Sequence, residues 1–544
     1  MISLYFHTLK YLKLKQIYGR ILFNISKPQI NKGPAPSLVA LRNNFCLPIA
    51  HKKSLRGNYV FCFFNKCGSL SKIGWKNDKN NYSKLWRYNQ HYFDDLTSKD
   101  SFKRKKKHIN LLMRWVKENP VGEGVGWDSY PTSLRIVNWI KWSLSKNILT
   151  KTLLNNLAIQ ARWLNKRLEW HILGNHLLSN AKALVFAGIF FSGEEANIWL
   201  SKGLKILENE LTEQILSDGG NFERSPMYHS IVLEDLLDLI NISRTSNKNI
   251  LRKHENRWIK IAKKMFRWLE VINHPDGKIS FFNDSALGIA PTLNDLRLYA
   301  SRLKINFKFS KFKKIINLSD TGYIRMTSKD AVVLLDTAQI GPDYLPGHAH
   351  ADTLSFELSL FGQRLFVNSG TSDYENNPTR QYERSTKAHN TVVVNNRNSS
   401  EVWGSFRVAR RANPINLKIK KFKNETIVSC SHDGYKHLIG KPVHKRIWKF
   451  SNSSLIVKDY IKGSFRDAFA YFHLHPSIKI KERGKNNWKI KIKNFPLISL
   501  NVKCVSSKLE QCYYSPEFGK KIKSQRLKLE IDNEGSYFII SWRN

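Results

Sequence analysis

The hydrophobic period of this chain changes once, and that change constrains the fold more than any other feature. From about Ser101 to about Leu303, stretches such as SLRIVNWIKWSL, LLNNLAIQARWLNKRLEW and RWIKIAKKMFRWLEVI place apolar residues at i, i+3, i+4 and i+7. After about Ile315 the period falls to two, in AVVLLDTAQ, SLIVKDYIKG, AFAYFHLHPSIKI and YFIISW. Consecutive helices with short Gly/Pro breaks predict antiparallel helix pairs stacked into an arc or ring. Many short strands at regular turn spacing predict an antiparallel sandwich. With 544 residues the chain is too long for one core. We expect a lead-in segment over 1–100, a helical domain over 101–310 and a sheet domain over 311–544.

Three stretches concentrate polar residues that a core would avoid. In EWHILGNHLLSN, Gly174 breaks the period and Asn175 stands where a helix restarts, flanked by His171 and His176. In NFERSPMYHS, Ser225 and Pro226 read as N-cap and first helical residue, which puts Tyr228 and His229 in the first turn. A helix N-terminus favours anions, so an acidic substrate suits that turn. In GHAHADTLSFEL, His348 and His350 are two apart, and at the start of a strand they would share one side. Asn368 and His389 follow on neighbouring segments, and with the histidine pair they have the residue types of a metal site. Packing roles compete at each position.

Together these motifs resemble the heparinase II/III-like polysaccharide lyases, over most of residues 85–415. The likeness is strongest in GHAHADTLSFELSLFGQRLFVNSGT and RSTKAHNTVVV. GNH, MYH and the upstream LWRYNQHYFDDL and WDSYPTSLRIVNWIKW support it. The resemblance implies an α+β multidomain chain, an incomplete α/α toroid followed by antiparallel β-sheets. It implies β-elimination on a uronic-acid polysaccharide, with Asn175 neutralising the uronate carboxylate and Tyr228 and His348 exchanging protons. It further implies a structural divalent metal, zinc by donor type, held by His350, Asn368 and His389, and no organic cofactor. Many relatives carry Asp where this chain has Asn368, which removes charge from that site.

The chemistry fits those residue types. Taking the proton alpha to a carboxylate builds an enolate-like dianion that needs a donor such as Asn175. Free tyrosine titrates near about 10, so Tyr228 as a base needs nearby positive charge. His348, the helix terminus and Arg224 are candidates to supply it. His171, His176, Arg224, His229 and Arg135 are expected to contact substrate. Trp127, Arg380, Arg384 and Lys387 are weaker candidates, for which a surface role is as probable.

Net charge is +46, from 89 basic and 43 acidic side chains, a field that draws polyanions. Nucleic acid is not expected, because the chain has no zinc-finger spacing, RNP-like motif or basic leucine zipper. An acidic polysaccharide is the expected partner. No run approaches the length of a membrane span. The basic, amphipathic MISLYFHTLKYLKLKQIYGRILFNISKP leaves peripheral membrane contact open. It lacks an apolar h-region and an A-x-A-like cleavage site, so no cleavable signal peptide is expected, which indicates a cytoplasmic protein. Degradative relatives are normally exported, which would make it periplasmic. The alternative is a non-degradative glycan-binding or glycan-modifying protein in capsule, O-antigen or exopolysaccharide biosynthesis, a setting that LKYLKLKQIYGRI also resembles.

Overall fold

The computed structural model describes residues 2–26, 28–40, 43–76, 82–307, 312–492, 495 and 498–542. The switch of period is a switch of architecture. Helices Lys105–Glu118, Ser129–Leu144, Lys151–Lys166, Gly174–Phe190, Glu194–Gln214, Pro226–Arg244, Ile250–Ile272 and Leu293–Arg302 run in succession. The first strand of the sheet part is Ile315–Leu318. The boundary expected between residues 310 and 311 lies outside the described residues.

Helix Gly174–Phe190 is the centre of the helical part. It packs on Ser129–Leu144, Glu194–Gln214 and Pro226–Arg244, and almost every residue in it is buried. Close approach to Glu194–Gln214 depends on Gly203, where a Cβ would lie 2.8 Å from the Ala181 carbonyl oxygen. Burial on all sides leaves Lys182 needing partners, and its ammonium reaches Asp235 at 2.6 Å and Asp238 at 2.5 Å.

The sheets are antiparallel throughout. Five strands run in the order 315–318, 323–327, 331–336, 356–360, 363–366. A four-stranded sheet joins 507–517, 520–530, 468–473 and 392–394, and an eight-stranded sheet covers much of 414–541. Strand Ala331–Asp336 is buried at all six positions. The reason is its place between layers. Val332 and Leu334 belong to the core shared with the helices, while Val333 and Leu335 belong to the core shared with the other sheets. Phe356, Phe366, Phe472 and Phe538 bring the three sheets together, with the Phe472 and Phe538 rings stacked at 4.1 Å.

Three features depart from the reading of the sequence. The region after Ile315 is not all strand, since Asn377 caps a short helix, Pro378–Arg384, with Pro378 in the first turn. The lead-in opens with the helices Ile2–Leu9 and Leu14–Ile25, continues into a small three-stranded sheet whose last hairpin holds a Cys62–Cys67 disulfide, and ends with the helices Leu70–Ile73 and Lys84–Tyr92. Residues 348–353 are loop, and the strand begins only at Phe356.

Candidate functional site

Three tight turns enter the site, each through a residue in the left-handed region. Leu173 (φ 68°, ψ −154°) and Gly174 (φ 56°) precede Asn175. Arg224 (φ 57°) precedes the N-cap Ser225, whose hydroxyl accepts from the Tyr228 N–H at 3.2 Å. Asn283 (φ 55°) precedes Asp284. A non-glycine residue held this way costs about 1–3 kcal/mol, so the surrounding packing must impose it.

Asp284 organises the centre. Its carboxylate is fully buried and bound by the Arg380 guanidinium. One oxygen accepts from His348 Nδ1 at 2.9 Å, the other from His350 Nε2 at 2.8 Å. Burial alone would raise its pKa, but Arg380, His348 and His350 hold it well below the usual carboxylate range. The two histidines therefore share a carboxylate, although they leave a loop and not a strand.

His348 is the open member, with 15% of its side chain exposed. Its Nδ1–H is committed to Asp284, which leaves Nε2 with the lone pair. The ring stacks on Tyr228 at 3.9 Å between centroids. Tyr228 Oη lies 3.2 Å from Tyr374 Oη. Burial, then Tyr374 and Asp284, push the Tyr228 phenol well above its ordinary value, so it is protonated at neutral pH. Phe406, an exposed ring, stands edge-on to His348 at 5.9 Å.

Glu223 completes the cluster. It is 2% exposed, and neither carboxyl oxygen meets a hydrogen-bond donor at bonding geometry. Oε2 is 3.6 Å from His348 Nε2. Oε1 lies 3.4 Å from where a Cβ on Gly174 would sit, which places it beside the Asn175 turn. Burial raises its pKa and so favours the neutral acid.

Behind His348 lies a second histidine contact. His350 Nδ1 faces His389 Nε2 at 3.1 Å. His389 Nδ1 meets the Ser385 carbonyl at 2.8 Å and must donate to it. His350 Nε2 must donate to Asp284. Both outer nitrogens thus carry the protons, and in neutral rings the two inner nitrogens oppose lone pair to lone pair. Burial lowers the His350 pKa to about 4 and holds the His389 pKa well below its ordinary value. A cation between the rings resolves that conflict, and the outer acceptors are the partners that metal-bound imidazoles use. Asn368 fits less well. Its Oδ1 accepts from Asn390 N–H at 3.2 Å and its Nδ2 donates to Phe281 O at 3.1 Å, leaving only the second lone pair of the oxygen. Among the described residues no group of three or more His, Cys, Asp and Glu side chains is placed to hold a metal.

Several residues expected to touch substrate are placed elsewhere. Arg135 is fully buried. Its guanidinium donates to Gln160 and the Gly126 carbonyl and lies over Trp115 at 3.9 Å, out of reach of a sugar. His229 is also fully buried. It contacts the Met265 carbonyl and the Asn221 N–H and stacks on Trp268, so it braces the turn from inside. Arg224 turns away to the Thr321 carbonyl, while its own carbonyl accepts from Tyr323 and Asn283. His171 packs against Phe23 of the N-terminal helix at 4.1 Å. His176 stays at the rim, half-buried, held by Glu169 at 3.0 Å and stacked on Tyr130. Arg380 and Arg384 are buried. Arg380 serves Asp284, and Arg384 binds the Ala349 carbonyl beneath the histidine loop. Sequence reasoning missed Asp284, Glu223 and Tyr374. Glu223 stood inside a quoted motif, whereas Asp284 and Tyr374 lie in loops without periodic signal.

A cluster of histidine, tyrosine and carboxylate side chains lies between a helical part and stacked antiparallel sheets. The heparinase II/III N-terminus profile matches residues 9–305 and the heparinase II/III-like C-terminal profile matches residues 313–543. The chain belongs to the heparinase II/III family. It is 25% identical over 331 residues to a heparin-sulfate lyase of Bacteroides stercoris, covering 56% of this chain and 46% of that protein. A heparin-sulfate lyase of Pedobacter heparinus is 25% identical over 279 residues, covering 48% of this chain and 41% of that protein. The chain spans less than half the length of these curated relatives. A crystal structure of heparinase III superposes with a TM-score of 0.70 at 18% identity, covering 97% of this chain and 85% of that chain.

Proposed function

We propose that this protein is a polysaccharide lyase that cleaves a uronate-containing, acidic polysaccharide by β-elimination. The observation that carries this reading is His348. Its Nδ1–H is fixed by Asp284, the lone pair of the neutral ring lies on Nε2 beside Glu223, and its ring is stacked on the protonated Tyr228. Nε2 takes the proton alpha to the uronate carboxylate. The electron pair forms the carbon–carbon double bond, the glycosidic carbon–oxygen bond breaks, and the Tyr228 hydroxyl protonates the departing oxygen. Asn175 and the neutral Glu223 carboxyl donate to the uronate carboxylate as it gains charge, a role that a buried acid with a raised pKa suits. Phe406 offers an apolar face to a sugar ring, and the basic surface steers the polyanion inward. The heparin-sulfate lyase relatives support the same reaction class.

The helical part is read here as an incomplete α/α toroid over 101–310, after a lead-in over 1–100. The sheets form a β-sandwich domain over 311–544. A second reading concerns His350 and His389, whose opposed lone pairs favour a divalent cation, zinc by donor type, with Asn368 as a weak third ligand. When bound, the ion would hold the histidine loop against the segment after Arg384. No step of the elimination runs through it.

The test is the ultraviolet absorbance of the unsaturated uronate over time. Heparan sulfate, hyaluronan, chondroitin, alginate and the host's own surface glycan form the panel. A rise is expected, reduced about 10²–10⁴-fold in Tyr228→Phe and in His348→Ala. A rise that persists in Tyr228→Phe would end the assignment. Binding without any rise would return the chain to the glycan-binding reading.

A further inference from the structure

The helix Leu14–Ile25 is amphipathic in the opposite sense to an ordinary surface helix. Leu14, Ile17, Tyr18, Ile21, Leu22 and Ile25 follow the spacing of a single apolar stripe, and all six are exposed, Leu14 by 83% and Ile25 by 76%. The inward face is Gln16 and Gly19, with Phe23 at its edge. Gln16 Nε2 donates to the Tyr344 carbonyl at 3.2 Å, and a Cβ on Gly19 would lie 3.0 Å from the His171 nitrogen. That close fit stops the helix from rolling its stripe inward. The helix before it, Ile2–Leu9, has no buried residue and adds Ile2, Phe6 and Leu9 to the exposed apolar surface.

The charge around the stripe selects its occupant. Lys10, Lys13, Lys15 and Arg20 lie on or beside the two helices; Lys13 is paired with Glu213 and Glu210 lies near Lys15, which leaves a surplus of cations beside the stripe. A second copy would bring the same positive charge against itself, within a molecule of net charge +46. An anionic lipid surface supplies both an apolar boundary for the stripe and negative headgroups for the flanking cations. We propose that the N-terminal helix pair docks this protein on an anionic bilayer, lying in the interface without crossing it. Among the described residues no helix is long and apolar enough to cross a membrane.

The pair is fixed to both parts of the molecule beside the site. Phe23 and Gly19 sit on the segment 170–171 of the helical part. Tyr5 packs on Trp403 at 5.0 Å, and Thr8 Oγ1 accepts from the Trp403 indole at 3.1 Å. Tyr344 and Trp403 lie close in sequence to His348 and Phe406. Docking therefore holds the cleft next to the lipid surface and presents it to glycan emerging there.

Flotation of the intact protein with vesicles tests this. One set is phosphatidylcholine alone, the other contains about one-third phosphatidylglycerol. The protein is expected to float with the anionic vesicles and far less with the neutral ones. The double variant Ile17→Asp/Ile21→Asp alters only exposed positions. It should lose at least about tenfold in partitioning while keeping its melting temperature and its activity on soluble glycan. Failure of the wild type to float would overturn the proposal, as would undiminished flotation of the double variant. A lipid-free dimer in sedimentation velocity, abolished by the same two substitutions, would overturn it in favour of a second copy.

Discussion

Two clusters in the molecule each join an arginine and an aspartate to a pair of facing histidines, and the pairs differ in the hydrogen bond that the outer histidine makes. In the site, Arg380 and Asp284 hold His350, which faces His389 at 3.1 Å. In the sheets, Arg446 and Asp459 hold His444, which faces His432 at 3.2 Å. The ring pairs match, with centroids 5.2 and 5.1 Å apart. The outer histidine decides the difference. His432 Nδ1 accepts from the Gly434 N–H, so His432 Nε2 donates to His444, and His444 donates to Asp459. Every donor meets an acceptor in one direction. His389 Nδ1 instead meets a carbonyl, and its chain of protons runs against that of His350. The sheet cluster is saturated and closed. The site pair sets two lone pairs face to face when both rings are neutral, and its carboxylate has a second oxygen for the partly exposed His348. The same residue types make a rivet in one place and a working centre in the other.

Removing the carboxylates tests this contrast most severely. Asp284→Asn and Asp459→Asn each leave a buried guanidinium without its counter-charge, and each should cost about 3–5 kcal/mol in chemical denaturation. Only Asp284→Asn should also abolish elimination by the protein that remains folded. Equal loss of turnover in both would erase the distinction.

Acid titration is the next test. Against burial, Arg446 and His444 hold the Asp459 pKa down to about 2, and Arg380, His348 and His350 hold Asp284 well below the usual carboxylate range. A carboxylate depressed in the folded state contributes its stability above the unfolded value, near about 3.9, and loses it as pH falls through the folded value. The Asp459 contribution, about 2 kcal/mol, should therefore disappear between about pH 4 and pH 2. The Asp284 contribution should likewise be lost as pH falls through its own depressed folded value. Denaturation midpoints of the wild type and the two Asn variants, taken across that range, would show whether the two limbs separate.

The smallest effect is the most discriminating. In His389→Gln the new amide can donate to His350 Nδ1, so stability without metal should be unchanged or slightly raised. In His432→Gln the amide still donates to His444 Nδ1, but the buried Gly434 N–H loses its acceptor, at a cost of about 1–3 kcal/mol. Zinc should raise the melting temperature of the wild type and leave that of His389→Gln unmoved. A zinc response of equal size in both would remove the cation from His350 and His389.

Much of this was legible in the chain. The period change marked the helical and sheet parts because side-chain alternation follows directly from backbone geometry. Ser225 and Pro226 announced the helix that carries Tyr228, because capping is a local matter. The histidine pair was visible as a spacing, but its anchor was not. Asp284 lies 64 residues before His348 and meets it only through tertiary packing. The burial of Arg135 and His229 was hidden for the same reason, since a polar residue beside a motif reads alike whether it faces the cleft or braces it from behind. The strand Ala331–Asp336, read with the period-two segments, opens with five apolar residues in a row and is buried on both faces, and nothing local said what lay on each.

The left-handed turns at Leu173, Arg224 and Asn283 bear on engineering. Each holds its shape only because neighbours from both parts of the molecule press on it. Leu345 of the sheet part crowds Gly174, and the Arg224 carbonyl is gripped by Tyr323 and Asn283. Released from those neighbours, each turn would relax to an ordinary right-handed or extended backbone and withdraw its side chain by more than a catalytic contact tolerates. The site is therefore not portable. Its three turns cannot be grafted onto another helical scaffold as a set of loops, because the scaffold they require is the seam itself.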